Sequence, residues 1–178
     1  MSAIPDLTTL AFIAYIDTAG QLPDQFEGQI GVYAIFDASE ILQYIGYSRN
    51  VSQSLRQHLV RCPEQCHWVK VHTLDKPNRS TLETIRDTWI QANGTLPAGN
   101  GPDQVQWTQP ISVQAFISPE EKAALEQVMP DEVAVTKLRK TLARQVEATL
   151  LERLKARGLQ VELRFNPKLK ADGLLDLA

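Results

Sequence analysis

Cysteine occurs only twice in 178 residues, at Cys62 and Cys66. Two thiols cannot build a disulfide framework, and such sparing use fits a reducing compartment. A zinc site would need a second ligand pair at defined spacing, and Cys62, Cys66, His67 and His58 do not supply one. The thiols read as inert, with a reversible redox pair across the intervening turn as the alternative. A surplus of basic charge is missing too. The net charge is -3 and the pI about 5.6, whereas a dedicated nucleic-acid binder is usually basic because it must neutralise phosphates. No stretch reaches the roughly 20 apolar residues that a membrane span needs, so no membrane partner is expected. The apolar run Leu10–Ile16 has no Lys or Arg ahead of it and no clear cleavage site. It is therefore not read as a signal peptide, and the expected location is cytoplasmic. Repeats and low-complexity tracts are absent.

Hydrophobic residues make up 43% and charged residues 22%, the composition of a globular chain. A chain of this length buries roughly two thirds of its unfolded surface, enough for a core without staples. Residues 7–16 read as a short helix or an apolar lead-in. Gly31–Phe36 and Ile41–Gly46, split by the polar Asp37–Glu40, predict a β-hairpin. Asn50 caps a predicted helix from Val51 to about Arg61, with Val51, Leu55, His58 and Leu59 on one face. Cys66–Leu74 is a third strand. Ser80 and Glu83 have capping-box spacing, which predicts a helix from there to about Ala92. Residues 94–110 hold three Pro and three Gly and read as a linker or an ordered excursion. A fourth strand is expected at Val113–Ile117. Ser118-Pro119-Glu120-Glu121 opens a further helix. A long helix follows from about Glu132 to Arg157, then a strand at Leu159–Phe165 and a loose tail.

The spelling of the hairpin carries the chemistry. Gly31-Val32-Tyr33 lies on its first strand and Tyr44-Ile45-Gly46 on its second, ten residues apart, with Asn50 and then His58 downstream. Over about 70 of the 178 residues this resembles the GIY-YIG nuclease superfamily. Phrases such as GVYAIFDASEILQYIGYSRNV also resemble cyanobacterial GIY-YIG proteins and the N-terminal domain of plant chloroplast monothiol glutaredoxins. The resemblance implies a metal-dependent endonuclease. Tyr33 would be base or proton relay, Tyr44 would position groups, Gly46 would keep the backbone close, and His58 would belong to the same catalytic set. The family's phosphate-binding Arg falls at Ser54 and its metal-binding Glu at Arg86. Arg49 or Arg56 is then the candidate cation, and Glu83 the candidate ligand for Mg²⁺ or Mn²⁺. Without the glycines, Tyr33 and Tyr44 read as strand aromatics, His58 as a half-buried core histidine and Glu83 as a helix cap.

Residues 1–100 carry 7 Lys/Arg and 10 Asp/Glu, while 101–178 carry 11 of each. Along the long helix, Lys137, Lys140 and Arg144 belong to a basic face that could contact phosphates. The expectation is an α/β (α+β) chain with a small, mainly antiparallel GIY-YIG-like sheet flanked by helices and a helical C-terminal extension. Residues 1–29 would be a lead-in, 30–100 the nuclease-like domain, and 101–178 an extension with a terminal strand, packed on the first domain. The expected function is nucleic-acid processing, with DNA as the partner. The alternative is a catalytically inactive module of the same fold that binds nucleic acid or a protein partner.

Overall fold

Four strands, β1 (Ile13–Ala14), β2 (Ile30–Phe36), β3 (Leu42–Ser48) and β4 (Trp68–Leu74), make one antiparallel sheet in the order β1-β4-β2-β3. The structure is a computed structural model describing residues 3–178. The chain is a mixed α+β protein, as its sequence predicts. The central strand β2 is apolar nearly throughout because helices cover both its faces. The turn into β3 is built on Asp37. Its carboxylate accepts from the N–H of Ser39 at 2.9 Å and of Ile41 at 3.0 Å, while Glu40 takes the left-handed conformation.

Helix α1 (Val51–Arg61) starts where Asn50 accepts from the Gln53 N–H. It buries Val51, Leu55, His58 and Leu59 as its spacing predicts. Helix α2 (Arg79–Ala92) serves the opposite face, where Leu82, Ile85 and Trp89 pack on Val32, Ala34, Phe36 and Ile45. Burying such side chains contributes roughly 1.5–3 kcal/mol each. The N-terminal cap of α2 is not Ser80 but Asn78, whose side chain accepts from the Thr81 N–H. An Asn two residues earlier competes well for the same orphan donors, so the expected capping box does not form.

Residues 94–110 are an ordered excursion. They hold a 3₁₀ turn at Ala98–Asn100 and the short helix α3 (Gln104–Thr108), which inserts Trp107 into the core. Of the two readings of residues 7–16, a short helix or an apolar lead-in, the helix is only a 3₁₀ turn at Leu7–Thr9 leading into β1. Two bonds hold this segment. Trp89 Nε1 donates to the Pro5 carbonyl at 2.8 Å, and Lys70 Nζ donates to the Leu7 carbonyl at 3.1 Å.

Contacts divide the chain into two compact units. One runs up to Thr108 and includes Gly158–Val161, and the other is Gln109–Arg157 with Glu162–Ala178. In the second unit, strand β5 (Ile111–Ser112) pairs with β6 (Leu174–Leu175), beside helices α4 (Pro119–Val128) and α5 (Glu132–Ala156). The Ser118–Glu121 capping box is present on both sides. Val113–Ala115 is a 3₁₀ turn rather than a strand, and Leu159–Phe165 forms no strand beyond a single bridge from Phe165 to Leu177. The tail is ordered: Leu175 is fully buried, and Lys170 pairs with Glu147.

Candidate functional site

Strand register puts Tyr33 opposite Gly46, and Ile35 opposite Tyr44. Directly paired residues point to one side of a sheet, so both phenols rise on the α1 face. They converge over Gly46. A side chain there would place its Cβ 2.6 Å from Tyr44 Cε1 and 2.8 Å from Tyr33 Oη, which explains the bare α-carbon. Tyr33 Oη meets His58 Nε2 at 2.8 Å. The Tyr44 ring stacks on Trp107 at 5.1 Å with planes 8° apart, and His58 lies 5.5 Å from the same indole.

Apart from Tyr44, which is half-buried, this cluster is sealed. Tyr33 is 3% exposed, His58 4% and Trp107 2%. Burial holds the Tyr33 hydroxyl well above the usual phenol range, reinforced by the Tyr44 phenol and opposed by the Ser54 hydroxyl and the Arg61 charge. Burial likewise drives the His58 pKa down to about 3, and the Arg61 charge adds to this. The nearby Trp107 carbonyl pulls the other way, although His58 Nδ1 reaches no hydrogen-bond partner at ordinary distance. Tyr33 and His58 thus form a neutral pair. A phenol so reluctant to ionise is a poor base, and an imidazole so reluctant to charge is a poor proton store.

Openness begins at β3. This strand ends the sheet, and a cleft of about 560 Å³ runs along it. Tyr44 and Tyr47 line it from the strand, Arg86 and Asp87 from α2, and Asn100 and Gln104 from the excursion. The Arg86 guanidinium sits 5.4 Å from the centre of the Tyr47 ring and bonds Asp87 at 2.8 Å. Behind it, Tyr47 Oη donates to Glu83 at 3.0 Å, and Arg79 pairs with Glu83 at 2.8 Å. Arg79 holds the Glu83 carboxyl below its ordinary range, with Tyr47 adding to the effect.

The structure therefore gathers Tyr33, Tyr44, Gly46 and His58, and it leaves the other predicted residues elsewhere. Arg49 is exposed beside the cap of α1. Arg56 is half-buried on α1, with Nε lacking a hydrogen-bond partner. Ser54 bonds the Ser48 hydroxyl at 2.8 Å, so neutral hydroxyls stand where the resemblance expects a cation. Glu83 works on the α2 face. Among the described residues, no three His, Cys, Asp or Glu side chains converge in a way that could hold a metal ion. Neither Cys62 nor Cys66 is in a disulfide, both are fully buried, and burial pushes the Cys62 thiol up to about 12. Lys137 and Arg144 are exposed and Lys140 half-exposed on α5, spaced to share one helix face. No helix among the described residues is long and apolar enough to cross a membrane.

No family model matches the chain. Over 103 residues it is 33% identical to the bifunctional monothiol glutaredoxin-S16, chloroplastic, of Arabidopsis thaliana, a stretch covering 56% of this chain and 33% of that protein. The chain thus spans about a third of the length of the curated relative it matches. This supports the expected likeness to a chloroplast monothiol glutaredoxin and leaves membership of the GIY-YIG superfamily without a match. It also corrects the functional expectation. The relative is by name a glutaredoxin and not a nuclease, so the endonuclease reading, the inactive nucleic-acid- or partner-binding alternative and the DNA-binding role are withdrawn. The site's chemistry agrees with the correction, because Tyr33 is sealed and no cation stands at position 54.

Sequence reasoning missed Trp107, Asn100, Tyr47 and Arg86. Trp107 carried one signal: a large aromatic inside a Pro- and Gly-rich stretch is rarely idle.

Proposed function

We propose that this chain acts as a ligand-recognition module rather than a catalyst, and that the β3 cleft takes a small polar molecule with an anionic group. The observation that carries this reading is the cleft's lining: Arg86 is its cation, held against the Tyr47 ring beside the Tyr44 phenol, Asn100 and Gln104. A guanidinium backed by an aromatic face can bind a carboxylate or phosphate while its planar fork stays oriented. Thiol exchange is not carried over from the relative's name, since both thiols of this chain are buried. Kinship with the GIY-YIG fold is part of the proposal as architecture only, supported by the phenols crossing above Gly46. A cytoplasmic location is proposed on the same footing, supported by two cysteines that form no disulfide.

Calorimetric titration of the chain with small carboxylates and phosphate monoesters tests the reading. At least one is expected to saturate with a dissociation constant below about 1 mM. Arg86→Gln is expected to weaken it about tenfold, the loss typical of one hydrogen bond to a charged group. Absence of saturation across both classes, or equal binding by the variant, overturns the proposal.

A further inference from the structure

An edge strand leaves every second residue with its N–H and C=O facing outward, away from the neighbouring strand. On β3 these residues can be identified, because the Asn100 side chain pairs with one of them. The Ile45 N–H donates to Asn100 Oδ1 at 2.8 Å, and Asn100 Nδ2 donates to the Ile45 carbonyl at 2.7 Å. A primary carboxamide thus makes the same two bonds that another strand would make. With Ile45 facing outward, the alternation turns Gly46 towards β2 and turns Tyr47 outward again. The turn carrying Asn100 also covers Gln43. Gly99 approaches the Gln43 carbonyl so closely that a Cβ would lie 2.7 Å from it. The cover stops there. Among the described residues the Tyr47 backbone bonds to nothing on its outer side, and that side lines the cleft.

We infer that the ligand of this cleft carries an amide edge, an N–H donor and a C=O acceptor side by side, which pairs with the Tyr47 backbone as Asn100 pairs with Ile45. The bound edge lies about 6.8 Å along β3 from the Asn100 amide, two residues of strand rise away. The ligand's anionic group faces Arg86 across the same cleft. This inference rests on the proposed recognition function and adds to it the chemical class of the ligand. A primary carboxamide and a pyrimidine lactam share this edge, and the two sources are separable.

The experiment titrates the chain with N-acetyl-L-glutamine and with uridine monophosphate. Each is compared with a form whose edge donor is methylated: the side-chain dimethylamide and the N3-methyl nucleotide. The expected result is saturable binding of one parent and a loss of about tenfold or more in its methylated form. The parent that binds identifies the source. The Tyr47 amide resonance should shift and gain protection from hydrogen exchange with the parent alone. Tyr47→Pro deletes the outward N–H at an edge position, where proline is tolerated, and is expected to give the same loss. If that proline variant does not fold, the methylated ligands still decide. Equal binding of parent and methylated forms overturns the amide edge and leaves the recognition function standing. So does binding of simple anions while both parents fail. If no anion binds at all, the recognition function itself fails. A ligand-insensitive dimer in sedimentation that protects the Tyr47 amide would mean a second copy covers this edge, and would also overturn the inference.

Discussion

The two faces of the sheet use similar residues to opposite ends. Under α1, Tyr33 and His58 share a hydrogen bond and are roofed by Trp107, and burial keeps both neutral. Beside α2, Tyr47 bonds a carboxylate, touches a guanidinium and stays partly open. What separates them is desolvation. The same phenol is a structural hydrogen-bonding group where water is excluded and a contact surface where water reaches it. Recognisable residue types at recognisable spacing therefore do not amount to an active site. The environment fixes the protonation state, and with it the chemistry.

The largest way to break the comparison is to remove the roof. Trp107→Ala deletes a 2% exposed side chain that stacks on Tyr44 and contacts His58. The expected cost is about 3–5 kcal/mol, read from the urea midpoint at neutral pH. His58 should then titrate closer to its ordinary range by NMR. A loss below about 1 kcal/mol would mean that the cluster is not a packed core.

Acid should separate the faces next. Unfolded, His58 binds its proton near 6.5, and folded only near about 3. The depressed folded pKa means that its contribution is full above the unfolded value and is lost as pH falls towards the folded one. Between about pH 6 and pH 4 this single group should remove roughly 2–3 kcal/mol. His58→Leu should flatten that part of the stability profile, measured by denaturant unfolding at each pH. An unchanged slope would show that His58 is not buried neutral.

How much of this was legible depended on distance along the chain. The hairpin, the Asn50 cap and the Ser118–Glu121 box are local patterns, and each forms as read. The register that brings Tyr33 and Tyr44 together over Gly46 is written in two tripeptides, so this much of the candidate site could be seen. Its chemical state could not. Burial of His58 involves Trp107, 49 positions away, and closure of the β3 edge depends on Asn100, 55 positions from Ile45. Neither carries a periodic signal. The N-terminal segment and the tail gain order from long-range partners, Lys70 and Trp89 in one case and β5 in the other, which is why local patterns could not choose between helix and lead-in at 7–16 and misread the tail as loose. Glu83 was misplaced for a different reason. Two residue types that cap helices stood close together, and Asn78 took the role expected of Ser80.

The sharpest comparison makes one substitution on both faces. Tyr33→Phe and Tyr47→Phe each remove a single hydroxyl. At Tyr33 the loss strands His58 Nε2, a buried ring nitrogen that water cannot reach. That should cost about 1–2 kcal/mol. At Tyr47 the partner is Glu83, which keeps Arg79 and access to water, so the cost should be about 0.5 kcal/mol or less. Paired urea titrations resolve the difference. Equal costs would mean that water reaches the Tyr33–His58 bond, and the claim that desolvation sets the chemistry of this face would fail with it.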